Sequence, residues 1–189
     1  ETLTIVSQDS VEGVVDQVLP TPVQVKVTDR FDNPVGGYNI QFRVTEGGGK
    51  VNGEDYINVQ TDPTSGIAQV EWRLGTESGT LNNLLEARAA GLEGGVYTFK
   101  ATALADDPHR LIETPAANNQ IGQVGEPLPE PIKVRIVDQF GNGIPAFPVT
   151  FTVMGIDSLK GHIDGAPEAV IQTDMDGYAQ VNWVLGKEP

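Results

Sequence analysis

Asp29, Asp32 and Asn33 place three oxygen-bearing side chains close together in VTDRFDNPVGG (27–37). The spacing returns in IVDQFGNGIPA (136–146), where Asp138 and Asn142 take the places of Asp29 and Asn33. Two chemistries fit such a cluster. Carboxylates joined by amide oxygens can hold a cation, or an Asp at a strand exit can accept backbone N–H groups while its neighbours tolerate positive φ. Asp32 becomes Gly141 in the second copy. A calcium ion needs six to eight oxygens, so losing a carboxylate from one copy favours the turn. On this reading Asp29, Asn33, Asp138 and Asn142 shape the backbone, with Asn33, Asn142 or nearby glycines carrying the positive φ.

Other acidic stretches are weaker. TDMDG (173–177) begins like a calcium loop but lacks the remaining ligands, and its counterpart TDPTSG (61–66) has no second carboxylate. Both read as hairpin turns that use Gly66 and Gly177. Asp106 and Asp107 form an adjacent pair that could contribute to a calcium ion between domains, although two carboxylates are too few by themselves. No other cofactor is indicated. Trp72 and Trp183 could stack on a sugar, but each is in phase with apolar neighbours, Ala68/Val70/Leu74 and Ala179/Val181/Leu185. They are therefore expected in the core, as are Phe42 and Phe151. The two histidines, His109 and His162, have no partners at catalytic or zinc spacing; there is no cysteine and no G-x-S-x-G. No enzyme activity is expected.

The elements that position these residues come in two copies. PVQVKVTDRFDNPVGGYNIQFRV (22–44) aligns without a gap on PIKVRIVDQFGNGIPAFPVTFTV (131–153), and QTDPTSGIAQVEWRLG (60–75) aligns on QTDMDGYAQVNWVLG (172–186) with one deletion. VEGVVDQVLPTP (11–22) similarly matches IGQVGEPLPEP (121–131). Such self-similarity marks a tandem array. The expected layout is a domain over 1–104, a short Pro108-stiffened linker over 105–110, and a second domain over 111–189. Strict alternation in Val23/Val25/Val27, Ile40/Phe42/Val44 and Ala68/Val70/Trp72/Leu74 predicts antiparallel strands half-buried on one face. LNNLLEARAA (81–90) is the one segment that could pass for a helix; its glycine flanks and the alternation of Leu85, Ala87 and Ala89 favour a strand. Roughly seven short strands per ~100 residues describe an immunoglobulin-like β-sandwich, so the fold class is all-β.

The order G-x-x-x-x-x-L-P, V-x-V-x-D-x-x-x-N-P-V-x-G, V-x-F-x-V and T-D-x-x-G-x-A-x-V resembles the bacterial Ig-like domains of the invasin and intimin type (group 1). The resemblance covers nearly the whole chain, twice. It implies an extracellular location on a bacterial surface protein, outer membrane-anchored or secreted. It also implies a structural role as a stalk repeat that presents a distal domain, with adjacent repeats of the same polypeptide as partners. Two alternatives are an adhesive module that takes a protein partner through loops or an exposed strand edge, and an accessory module of a secreted polysaccharide-active enzyme. The chain begins at Glu1 with neither Met nor signal peptide and so reads as excised from a longer protein. After Gly75 the first copy continues TESGTLNNLLEARAAGLEGGVYTFKATAL, whereas the second stops at KEP after Gly186; the last two strands are expected to be missing there.

Composition is consistent with these expectations. The net charge of −14 is spread evenly, with 7 basic and 14 acidic side chains in residues 1–105 and 5 and 12 in 106–189. Such a surface repels phosphate backbones and anionic lipid, which disfavours nucleic acid and direct membrane insertion as partners.

Overall fold

The computed structural model describes residues 1–92, 94–115, 118–154 and 161–187. The chain divides into two compact units, Glu1–Ala105 and Asp106–Pro189.

Unit 1 contains β1 (Thr2–Ile5), β2 (Ser10–Val14), β3 (Val23–Thr28), β4 (Asn39–Glu46), β5 (Lys50–Val51), β6 (Tyr56–Gln60), β7 (Ile67–Val70), β8 (Trp72–Arg73), β9 (Gly79–Ala89) and β10 (Val96–Leu104). One sheet has the order β1-β3-β7; the facing sheet runs β2-β10-β9-β4-β6, with β5 and β8 paired separately. Every pairing is antiparallel except β2 with β10. The two sheets press their apolar faces together, as expected for an immunoglobulin-like sandwich. Val23, Val25 and Val27 of β3 meet Ile40 and Phe42 of β4, Leu85, Ala87 and Ala89 of β9, and Phe99, Ala101 and Ala103 of β10 in one core, each at most 4% exposed. Residues 81–89 are strand, as their alternation indicates.

The alternation Ala68/Val70/Trp72/Leu74 runs through a change of partner. β7 pairs with β3, the ladder breaks at Glu71, and β8 pairs with β5. Asn52 bridges the break: its Oδ1 accepts the Glu71 N–H at 2.8 Å, and its own N–H donates to the Glu71 carbonyl. Side-chain alternation is indifferent to the identity of the neighbouring strand, so all four residues stay buried across the break.

Unit 2 repeats much of this plan with β11 (Arg110–Glu113), β12 (Ile132–Val137), β13 (Pro148–Thr152), β14 (Gly161–Ile163), β15 (Glu168–Gln172), β16 (Tyr178–Val181) and β17 (Trp183–Leu185). The orders β11-β12-β16, β13-β15 and β14-β17 match β1-β3-β7, β4-β6 and β5-β8. Counterparts of β9 and β10 do not occur among the described residues. The counterpart of β2 is not a strand either. In unit 1 β2 pairs only with β10, so without that neighbour residues 119–124 have no ladder to join. The same segment still folds into place: a Cβ added at Gly13 would meet Leu19 and Leu74, and one added at Gly122 would meet Leu128 and Leu185.

Candidate functional site

The repeated acidic cluster folds into the same turn twice. Asp29 Oδ1 accepts the N–H groups of Phe31 (2.8 Å) and Asn33 (3.0 Å), and its Oδ2 accepts the Asn33 side-chain amide at 3.0 Å. Asp138 repeats this with Phe140 (2.9 Å), Asn142 (2.9 Å) and the Asn142 amide (2.8 Å). Asp138 is buried, 2% exposed, and its Oδ2 also accepts the Asp106 N–H at 3.1 Å. Burial pushes the Asp138 carboxyl up, but hydrogen bonds from Asn142, Asp106 and Phe140 outweigh it and hold the group below its ordinary value. The Asn33 side chain and the Phe31 N–H lower Asp29 in the same way. Carboxylate oxygens engaged by three or four donors are committed to the backbone and are poorly placed to ligate a cation.

Positive φ falls on neither asparagine: the second copy carries it on a neighbouring glycine, as expected, and the first copy on Asp32. It lies one residue earlier, at Asp32 (64°) and Gly141 (94°). The exchange of Asp for Gly between the copies therefore follows backbone conformation, since Asp and Gly both tolerate the left-handed region.

A second pair of turns packs against the first. Asp62 Oδ1 accepts from the N–H groups of Thr64 and Ser65 and from the Ser65 hydroxyl, which hold its carboxyl below the ordinary value, the Ser65 N–H most strongly. Asp174 Oδ1 accepts from the N–H groups of Asp176 and Tyr178, so TDMDG is a turn. A Cβ on Gly36 would come within 2.3 Å of Pro63 Cα, and one on Gly143 within 2.1 Å of the Asp176 carbonyl. Buried Thr61 and Thr173 bridge the two loops. Each hydroxyl donates to a carbonyl, that of Val35 or Ile144, and accepts an N–H, that of Tyr38 or Phe147. Sequence reasoning passed over these threonines, although the QTD they share in both copies was the available signal.

Asp106 belongs to this network: Gln139 Nε2 donates to its Oδ2 at 3.0 Å. Asp107 is exposed. No group of three His, Cys, Asp or Glu side chains capable of holding a metal occurs among the described residues. His162 Nδ1 accepts the Gly165 N–H at 2.9 Å and so caps its own turn.

The aromatic pair diverges. Trp72 is fully buried and Phe42 with it, whereas Phe151 is 9% exposed and Trp183 is half-buried, lining an open groove. Neither indole N–H has a hydrogen-bond partner. Buried Asn83 was not singled out by sequence. Its Oδ1 accepts the Gly75 N–H at 2.9 Å where the backbone of Gly75 crosses that of Gly47.

The site is thus a set of paired, backbone-directed caps at one end of each sandwich. No family model matches the sequence, and no curated protein matches it. Solved structures do match in fold. The Escherichia coli adhesin FdeC aligns with a TM-score of 0.52 and 15% identity over 98% of this chain and 55% of its own. The Yersinia pseudotuberculosis adhesin InvE gives 0.44 and 19% over 96% and 51%, and invasin, a bacterial integrin-binding protein, gives 0.41 and 15% over 99% and 34%. The chain spans about half or less of each of these structures. The fold is all-β and Ig-like, of the kind found in bacterial surface adhesins.

Proposed function

We propose that the two units are structural repeats of an exported bacterial cell-surface protein, adhesin-like in type, that hold a functional domain away from the cell. The observation that carries this reading is the duplication of the Asp29/Asn33 and Asp138/Asn142 caps. What the chain keeps in both copies is backbone architecture, as a spacer requires, and the likeness in fold to FdeC supports the context. Each unit contributes length and rigidity, and adjacent repeats are its partners. A second reading, a module that takes a protein segment by strand addition, draws support from the open groove of unit 2.

The test is cell attachment by beads coated with the purified chain, alongside beads carrying a known adhesin. The spacer reading expects no attachment above uncoated beads. It expects the chain, inserted between a surface anchor and an epitope tag, to raise antibody access to the tag. Saturable attachment by the chain alone would overturn it.

A further inference from the structure

Val51 and Glu54 exchange backbone hydrogen bonds of 2.8 and 2.9 Å around Asn52–Gly53, and Ile163 and Ala166 do the same around Asp164–Gly165. Both central residues of each turn have positive φ, 47° and 89° in the first turn and 51° and 84° in the second. This is the form of the two-residue type I′ hairpin, which Asn-Gly and Asp-Gly favour. The two units thus place an amide and its corresponding acid at one step of the same turn.

The sequence holds one other Asn-Gly pair, Asn142–Gly143, and the two differ in their surroundings. Asn52 and Gly53 are exposed, and a Cβ added at Gly53 would have nothing within 4 Å. Asn52 Oδ1 accepts the Glu71 N–H at 2.8 Å, while its Nδ2 and the Gly53 N–H have no acceptor among the described residues. At the same step of unit 2 the Gly165 N–H is held by His162 Nδ1 at 2.9 Å. Lys50 stands where His162 does, and its ammonium donates to Asp55 at 2.6 Å instead. Asn142, by contrast, is half-buried, and its N–H and Nδ2 donate to Asp138 at 2.9 and 2.8 Å. Gly143 is packed against the Asp176 carbonyl, with no room for a Cβ.

We propose that Asn52 is a site of spontaneous, irreversible deamidation in the folded chain. The Gly53 nitrogen gives up its proton to solvent and attacks Asn52 Cγ. The Glu71 N–H is already aimed at Oδ1, the oxygen that takes up the negative charge. The new N–Cγ bond closes a five-membered imide as the Cγ–Nδ2 bond breaks, and Nδ2 takes a proton from water and leaves as ammonia. Water then opens the imide at either carbonyl. Cleavage at Cγ leaves aspartate, the residue that unit 2 already carries as Asp164. Cleavage at the main-chain carbonyl leaves isoaspartate, whose backbone runs through the side chain and is one methylene longer. Aspartate retains an acceptor for the Glu71 N–H. The longer isoaspartate turn cannot keep both bonds between residue 52 and Glu71, which span the ladder break beside the Val51–Trp72 pair. The first product keeps this seam and the second opens it.

The test incubates the full chain at mildly alkaline pH and maps its peptides by mass spectrometry, with isoaspartyl methyltransferase labelling to tell isoaspartate from aspartate. Asn52 should convert at least ~10-fold faster than Asn142, whose two bonds to Asp138 must first be released. In urea the two Asn-Gly pairs should converge, which assigns the difference to the fold. The Glu71 amide should exchange slowly in the fresh chain and in Asn52→Asp, and fast in the isoaspartate fraction. Equal conversion of Asn52 and Asn142 in the folded chain overturns the proposal, and so does an Asn52 that keeps its amide when folded and loses it only in urea. A Glu71 amide as well protected in the isoaspartate fraction as in the fresh chain overturns the opening of the seam.

Discussion

Asp32 and Gly141 stand at the same step of two equivalent turns and share a left-handed backbone, with φ of 64° and 94°. An added Cβ at Gly141 has nothing within 4 Å, so any cost of substitution there lies in the backbone alone. Gly141→Asp should be nearly neutral, since unit 1 already accommodates Asp at this step. Gly141→Val should cost ~1–2 kcal/mol, because a β-branched side chain opposes the left-handed region. Urea unfolding of the two variants, followed by unit 2 amide signals, checks the difference.

The cap on Asp138 carries a pH dependence. Its folded pKa lies below the ordinary carboxylate value near ~3.9, so its stabilisation is fully present above that value. It is lost as pH falls through the lower folded value, where the unfolded chain has already taken up the proton. Asp138→Ala should destabilise unit 2 by ~1–3 kcal/mol at neutral pH, leaving the part-buried N–H groups of Asp106, Phe140 and Asn142 without this acceptor. The gap between wild type and variant should then narrow in acid. Denaturant titrations across the acid range, following unit 2, would show whether it does.

Trp72 fills the centre of unit 1 without using its N–H. Trp72→Ala should cost ~3–5 kcal/mol by leaving a large cavity. Trp72→Phe should cost clearly less, because no hydrogen bond is lost with the indole. In the wild type, acrylamide should quench Trp183 more readily than Trp72. Single-tryptophan variants read by fluorescence resolve the two.

Asn83 satisfies the Gly75 N–H in the interior of unit 1. Asn83→Ala should destabilise that unit by ~1–3 kcal/mol through the unpaired donor. Chemical denaturation monitored on β9 amides provides the measurement.

Calcium offers a simple check on the caps. Ions that bind only the folded state raise its melting temperature. With Asp29, Asp138 and Asp106 engaged in hydrogen bonds, millimolar calcium followed by chelator should leave both unfolding transitions unmoved in calorimetry.

The sandwich was legible because its strands are half-buried. Alternation in Val23/Val25/Val27 reports which face is inward, and the matched spacing of two copies reports the repeat. The break at Glu71 was not legible, since period-two patterning reads through a change of ladder partner. The site was legible in its residues and not in its geometry. Alignment exposed the exchange of Asp32 for Gly141, but the reason lies in a dihedral angle that composition does not record. Asn83 escaped notice although it is in phase with Leu85, Ala87 and Ala89, because a polar residue reads as outward unless the N–H donor it accepts from is known. Trp183 was expected to be as enclosed as Trp72. Its own strand is correctly phased, and its exposure goes with the lack of β9 and β10 counterparts among the described residues of unit 2.

The parallel pairing of β2 with β10 bears on how unit 1 answers to load. Ser10–Val14 lies near the start of the unit, Lys100–Leu104 at its end, and the two run side by side in the same direction. Tension drawn backward through β2 and forward through β10 would pull them past one another. The ladder bonds would then be strained together in shear and could not peel open one at a time. A module closed in this way gives little under traction until the whole seam parts.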